Sequence, residues 1–136
     1  MLGKILLVFS PLAVVLGAFV FDFGETHVYN PRWPPHAKFH NGQTMSMTLC
    51  MLATTVYFTF RPTSGAAAAR DSLFTALICA SVYCVTGMSA ILYPGAGGTD
   101  PEFGEGFPQF WVFLGLWLLA MLGWWLERRT LKVKSA

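Results

Sequence analysis

Three histidines, His27, His36 and His40, fall within fourteen residues of one another, and two carboxylates, Asp22 and Glu25, stand just before them. Imidazole exchanges protons near neutral pH and also ligates metal ions. Two chemistries therefore compete for this stretch. In the first, His36, His40, His27 and Glu25 carry out general acid–base catalysis, in which a carboxyl held near an imidazole moves a proton during an isomerisation, cyclisation or addition. In the second, His36 and His40 share a divalent metal ion, with Glu25 or an acid from another loop completing the set. The spacing is H-x-x-x-H without the glutamate of the H-E-x-x-H motif, so it is compatible with a metal without demanding one. A third reading is structural: Asn30, Arg32, Trp33 and the prolines around them build a rigid lid in which the histidines serve as caps and tethers.

The segment holding these residues lies between apolar runs. The chain has 136 residues, of which 54% are hydrophobic and 12% charged. Soluble domains carry roughly 25% charged residues, so lipid is the expected solvent. The length suits a single domain, and a net charge of +2 gives no basis for nucleic-acid binding. Ile5 to Phe21 follows Lys4 and is expected to be a retained membrane helix, since no clear small-residue cleavage signal precedes Asp22. Gly24 to Pro35 is rich in turn-formers. Pro34-Pro35 then suits a helix start, because a proline at the first helical position lacks only an N–H that would have no partner. The second helix is predicted from His36 to about Phe60, roughly 37 Å long and so longer than a hydrocarbon core.

Arg61 to Arg70 reads as a short polar hairpin, followed by a third span from about Ser72 to Tyr93. That span is rich in small residues (Ala76, Ala80, Ser81, Cys84, Gly87) that let helices approach closely in lipid. Tyr93 to Pro108 is a glycine- and proline-rich loop with Asp100, Glu102 and Glu105. The fourth span, Gln109 to Leu126, carries tryptophans near both ends, as interfacial belts do. Cys50, Cys79 and Cys84 form no C-x-x-C pair and read as small apolar packing residues. The expected fold is an all-α, up-and-down bundle of four membrane-spanning helices, one domain over residues 1–136, capped by loops at one end.

With four spans both termini share a side. That side takes Lys4, Arg61, Arg70, Arg128, Arg129, Lys132 and Lys134, seven of the nine basic residues. The opposite side takes Arg32 and Lys38 with five of the seven acids. The positive-inside rule therefore predicts cytoplasmic termini and an outward-facing histidine segment. Because both outer loops emerge at one end of a bundle, the histidine loop and the acidic loop are expected to meet.

On a helical wheel, His36, His40, Gln43, Met47, Cys50 and Thr54 fall within about 80° of one another. Polar groups inside a membrane usually face the bundle interior. On one reading the stripe points inward and, with Asp100, Glu102 and Trp33, makes Gln43 and Met47 ligand-lining residues; on the other, Met47, Cys50 and Thr54 merely pack and the histidines sit in the wet interface. Arg32 is a candidate ion-pair partner of Glu25, and Lys38 of a loop acid. The expected partners are membrane lipids and a lipophilic small molecule entering from the bilayer. The alternatives are a metal- or ligand-binding module and a non-catalytic subunit of a homo-oligomer or larger membrane complex.

The run from Gly24 to Thr44 (GETHVYNPRWPPHAKFHNGQT) resembles the signature of an uncharacterised family of short four-helix membrane proteins. That signature reads E-T-H, then N-P-x-W-P-P-H-A-x-F-H ahead of the second helix. Glu25, Thr26, His27, Asn30, Pro31, Trp33, Pro34, Pro35, His36, Phe39 and His40 match it. The general plan is also similar, more weakly, to DoxX-type four-helix proteins. These resemblances imply a fold and a place for a site, and no activity.

Overall fold

The first apolar run folds as α1, Leu2–Gly17, which accommodates Pro11 and passes directly into a π-helical turn, Ala18–Asp22. π-turns insert an extra residue per turn and recur at functional sites. Here the turn ends on Asp22, the first carboxylate of the chain. Pro35 is the first residue of α2, Pro35–Phe60, so the proline pair starts that helix as expected. The third helix, α3, runs Ala66–Ser89 and tightens into a 3-10 turn, Ala90–Leu92. It therefore includes the alanine run Ala66 to Ala69, which the sequence had suggested was hairpin. Alanine has the highest intrinsic helix propensity, and this tells more than the polarity of its neighbours. The last helix, α4, covers Gln109–Val133 and continues past the apolar stretch into the basic tail. The computed structural model describes residues 1–133, with side chains up to Leu131; Lys134 and the side chain of Lys132, both counted in the charge argument, lie outside the described residues.

The four helices close into a ring in chain order, with α1 against α4, α4 against α3, α3 against α2 and α2 against α1. No strand occurs among the described residues. The buried cluster joins Leu7, Leu73, Ala76, Leu77, Ala80 and Ala120, so much of the contact is made by methyl groups. Close approach goes furthest where α1 crosses α4. A Cβ placed on Gly3 would lie 2.4 Å from the Gly123 carbonyl oxygen, and one on Gly123 would lie 2.6 Å from the Gly3 oxygen. Beside this crossing, Glu127 accepts hydrogen bonds from the Met1 amine (2.7 Å) and the Lys4 N–H (3.3 Å). Small residues at helix crossings are the normal device in lipid, where association depends on packing rather than on expelling water.

The outer surface is apolar. Leu16, Val20, Phe74, Leu118 and Trp111 all stand exposed. Three helical segments, Leu2–Asp22, Ala66–Leu92 and Gln109–Leu131, are long and apolar enough to cross a membrane. α2 is long enough but too polar to join them on hydropathy alone.

α2 also corrects the expected inward face. His36, His40, Gln43, Met47, Cys50 and Thr54 are all exposed on the outside of the bundle. The buried face consists of Asn41, Met45, Thr48, Thr55 and Thr59. Threonine can face a tightly packed interior because its hydroxyl bonds to the preceding turn of its own helix. Thr48 does so, donating to the Met45 carbonyl at 2.7 Å, whereas the buried Thr55 and Thr59 hydroxyls find no partner among the described residues.

Candidate functional site

The two loops at the end of the bundle remote from the termini interlock. In the first loop, the Gly24 carbonyl accepts the His27 and Tyr29 N–H groups (3.2 and 2.9 Å), and the Val28 N–H reaches back to the Asp22 carbonyl at 3.2 Å. This coils the chain tightly after the π-turn. Asn30, only 1% exposed, stitches the next step. Its Oδ1 accepts the Arg32 N–H at 2.9 Å and its Nδ2 donates to Glu102 Oε1 at 3.4 Å. Arg32 forms an ion pair with the same Glu102. Trp33 Nε1 donates to Asp100 Oδ2 at 3.1 Å. The expected meeting of the histidine loop and the acidic loop is therefore present, carried by Asn30, Arg32 and Trp33.

Beneath this cap is a cavity of about 680 Å³, within the range of small-molecule sites, roughly 300–1,000 Å³. Its lower wall is Ala13 and Gly17 from α1 with Val112, Phe113 and Leu116 from α4. The two helices that touch at Gly3 and Gly123 thus leave space between them at the loop end. Its upper wall concentrates the polar groups Asp22, Thr26, His27, Tyr83, Asp100 and Gln109, with Trp33 beside them. Phe21 and Val112, which line it from the π-turn and α4, are 72% and 59% exposed, so apolar surface continues from the cavity to the outside of the bundle.

The hydrogen bonds around His27 assign its tautomer. Thr26 Oγ1 gives its single proton to the Phe21 carbonyl at 3.1 Å, and His27 Nδ1 lies 2.9 Å from the same hydroxyl oxygen. That oxygen can then only accept, so Nδ1 carries the hydrogen and Nε2 holds the lone pair. Nε2 makes no hydrogen bond among the described residues. Asp22 Oδ1 stands 3.8 Å from Nδ1, close enough to stabilise the ring once it is charged. Trp33 packs against the imidazole edge-on, with centroids 4.9 Å apart. The arrangement can accept a proton at Nε2 and hold the resulting cation.

A smaller cavity of about 370 Å³ lies between α2, α3 and the second loop. It shares Tyr83, Gly97, Gly98, Gln109 and Phe113 with the first. Gln109 Nε2 donates to the Gly98 carbonyl at 2.6 Å, while its Oε1 is buried without a partner.

The residues expected from the sequence thus separate. His27, Trp33 and Asp100 line the larger cavity, and Met47 lines the smaller one. Gln43 and Glu102 line neither: Gln43 lies on the outward face of α2, and Glu102 is committed to Arg32 and Asn30. His36 and His40 are together but outside the bundle, with their Nε2 atoms 3.0 Å apart. Glu25 is exposed, and no ion pair or hydrogen bond ties it to either histidine or to Arg32, whose carboxylate partner is Glu102. Among the described residues no group of three or more His, Cys, Asp or Glu is placed to hold a metal ion. Of the other polar cavity residues, Asp22 was noted beside the histidines without a role, and Thr26, Tyr83 and Gln109 were not singled out as site candidates. Asp22 carried a signal, as a carboxylate ending an apolar run. Tyr83 and Gln109, polar groups in or at the edge of apolar spans, carried a weaker one.

The chain matches the family of unknown function DUF6640 over residues 7–136 and belongs to it. No curated protein and no solved structure matches it. Membership agrees with the expected uncharacterised family and brings no activity with it.

Proposed function

We propose that this protein takes a lipophilic molecule from the bilayer into the cavity between α1 and α4, and that His27 and Asp22 move a proton at its polar end. The observation that carries this reading is the lining of the cavity, which sets apolar residues of α1 and α4 against the polar groups of Asp22, Thr26, His27, Tyr83, Asp100 and Gln109. An amphiphile placed there has its apolar part against Ala13, Gly17 and Leu116 and its functional group against His27 Nε2. Nε2 takes a proton from one atom of the bound molecule, Asp22 stabilises the imidazolium, and the proton returns to another atom. That sequence is a general-base isomerisation or cyclisation. Tyr83 and Gln109 supply hydrogen-bonding groups that orient the ligand, and the Trp33–Asp100 bond holds the cap over it.

The orientation in the membrane follows from charge. We infer that α2 crosses with the other three helices, since it packs along both α1 and α3. The basic residues at the terminal end lie over aromatic rings: Lys4 on Phe60, Arg61 on Phe58, Arg128 on Trp124 and Arg129 on Trp125. Such pairs suit a membrane interface, where long cationic side chains reach the headgroups. Cytoplasmic termini then put the cavity at the outer face.

The test is to purify wild type, His27→Gln and Asp22→Asn in mild detergent and compare their extracted lipophiles by liquid chromatography with mass spectrometry. Both variants should retain the bound molecule in an unconverted form that elutes apart from that of wild type. Identical elution profiles from folded proteins would remove the proton-transfer step and leave only binding.

A second reading rests on α2. Its exposed face presents Gln43, Ser46, Cys50 and Thr54, and polar groups facing lipid are costly. This favours an accessory subunit covered along α2 by another membrane chain, and it would appear as a stable larger complex on native electrophoresis.

A further inference from the structure

The exposed histidine pair has a geometry that the cavity does not use. His36 and His40 lie one turn apart at the start of α2, and their Nε2 atoms converge to 3.0 Å. Phe39 stacks on His36 (6.1 Å, 5° between planes) and meets His40 edge-on (5.5 Å, 72°), so one ring braces both imidazoles. His40 Nδ1 lies 3.2 Å from Gln43 Oε1. An amide oxygen only accepts, so Nδ1 carries the hydrogen and Nε2 of His40 holds a lone pair facing His36.

In this structure the pair is bridged by a proton on His36 Nε2. When His36 shifts that proton to its own Nδ1, two lone pairs converge on one point. Two imidazole nitrogens at ~2.0–2.1 Å from an ion stand roughly 2.9 Å apart at neighbouring corners of a square plane, the geometry copper(II) prefers, and roughly 3.3 Å apart on a tetrahedral ion. A few tenths of an ångström of motion by two exposed side chains reaches either separation. The outer hydrogen bond from a ligating imidazole to Gln43 is the kind of contact that orients metal-binding histidines.

We propose that His36 and His40 bind one divalent transition-metal ion at the outer end of α2, copper(II) more tightly than zinc or nickel, with the remaining coordination positions open to solvent. Imidazole donors suit these borderline ions, and their relative affinity follows the usual first-row order. The open positions follow from the ligand count: no third histidine, cysteine or carboxylate among the described residues joins the pair.

The test titrates copper(II) chloride, then zinc chloride, into the untagged full-length protein in detergent, in a Cys50→Ser background that removes the exposed thiol. Calorimetry should give one copper per chain, and electron paramagnetic resonance should show two coordinated imidazoles. His36→Ala and His40→Ala should each weaken binding about 100-fold or more. Gln43→Leu should weaken it roughly 10-fold while leaving the two-imidazole spectrum. His27→Ala should leave copper binding unchanged. The proposal is overturned if wild type binds no more tightly than the doubly substituted His36→Ala/His40→Ala protein, or if half an ion per chain shows two copies closing the site.

Discussion

Replacing Gly123 by alanine puts one methyl group into the tightest contact of the bundle. The new Cβ would lie 2.6 Å from the Gly3 carbonyl oxygen, 2.7 Å from the Leu7 nitrogen and 3.1 Å from Leu6 Cβ. Two of these are backbone atoms and cannot swing aside, so α1 and α4 must separate by the better part of an ångström. Inserting a methyl into a filled contact costs about 1–3 kcal/mol. Alanine for glycine inside a helix gains about 0.8–1 kcal/mol by itself, so a control with the same gain is needed. Gly115→Ala provides it, because its Cβ meets nothing within 4 Å on the same helix. Gly123→Ala should therefore be about 1–3 kcal/mol less stable than Gly115→Ala in reversible SDS unfolding followed by tryptophan fluorescence. Equal stability would mean that α1 and α4 are not held together at this crossing.

Other substitutions probe the helix faces, the cap and the orientation. Thr48→Leu forces a larger side chain into a site 1% exposed and should cost about 1–3 kcal/mol, whereas Gln43→Leu on the outer face should leave unfolding within about 0.5 kcal/mol of wild type. Asn30→Ala removes one bond between the loops, to Glu102, and one within the first loop, from the Arg32 N–H, which should cost about 1–3 kcal/mol and make the second loop more protease-sensitive. In a cysteine-free background, an impermeant maleimide applied to intact cells should label Thr99→Cys and spare Ser64→Cys, and the reverse pattern would invert the proposed orientation.

Helix number, order and the Pro35 start were legible because apolar length and proline position act locally. The helix ends were less so. Hydropathy marks where lipid stops, while Ala66 to Ala69 and the basic end of α4 follow backbone propensity past that limit. The facing of α2 was not legible, for a physical reason. A helical wheel shows that His36, Gln43 and Thr54 share a face but not whether that face is inward, and the opposite face, with Asn41, Thr48, Thr55 and Thr59, is also polar. The rule that polar groups point inward could not choose between two polar faces. The contact of the two loops was foreseen from topology, and its particular pairs, Trp33 with Asp100 and Arg32 with Glu102, depend on loop geometry that spacing does not encode. The cavity brings together residues as far apart in sequence as Ala13 and Leu116, a juxtaposition made by packing that spacing does not encode.

The proposed function requires a lipophilic molecule in the space between α1 and α4. Gly17 lines that space, and a Cβ built on it meets nothing within 4 Å. Gly17→Leu should thus fill the cavity while preserving the fold. Gly115→Leu places the same side chain on the exposed face of α4, outside the cavity. Native mass spectrometry of protein released from nanodiscs made with its own membrane should show a discrete bound mass on wild type and on Gly115→Leu, absent from Gly17→Leu. The same bound mass on all three proteins, or on none, would contradict the account.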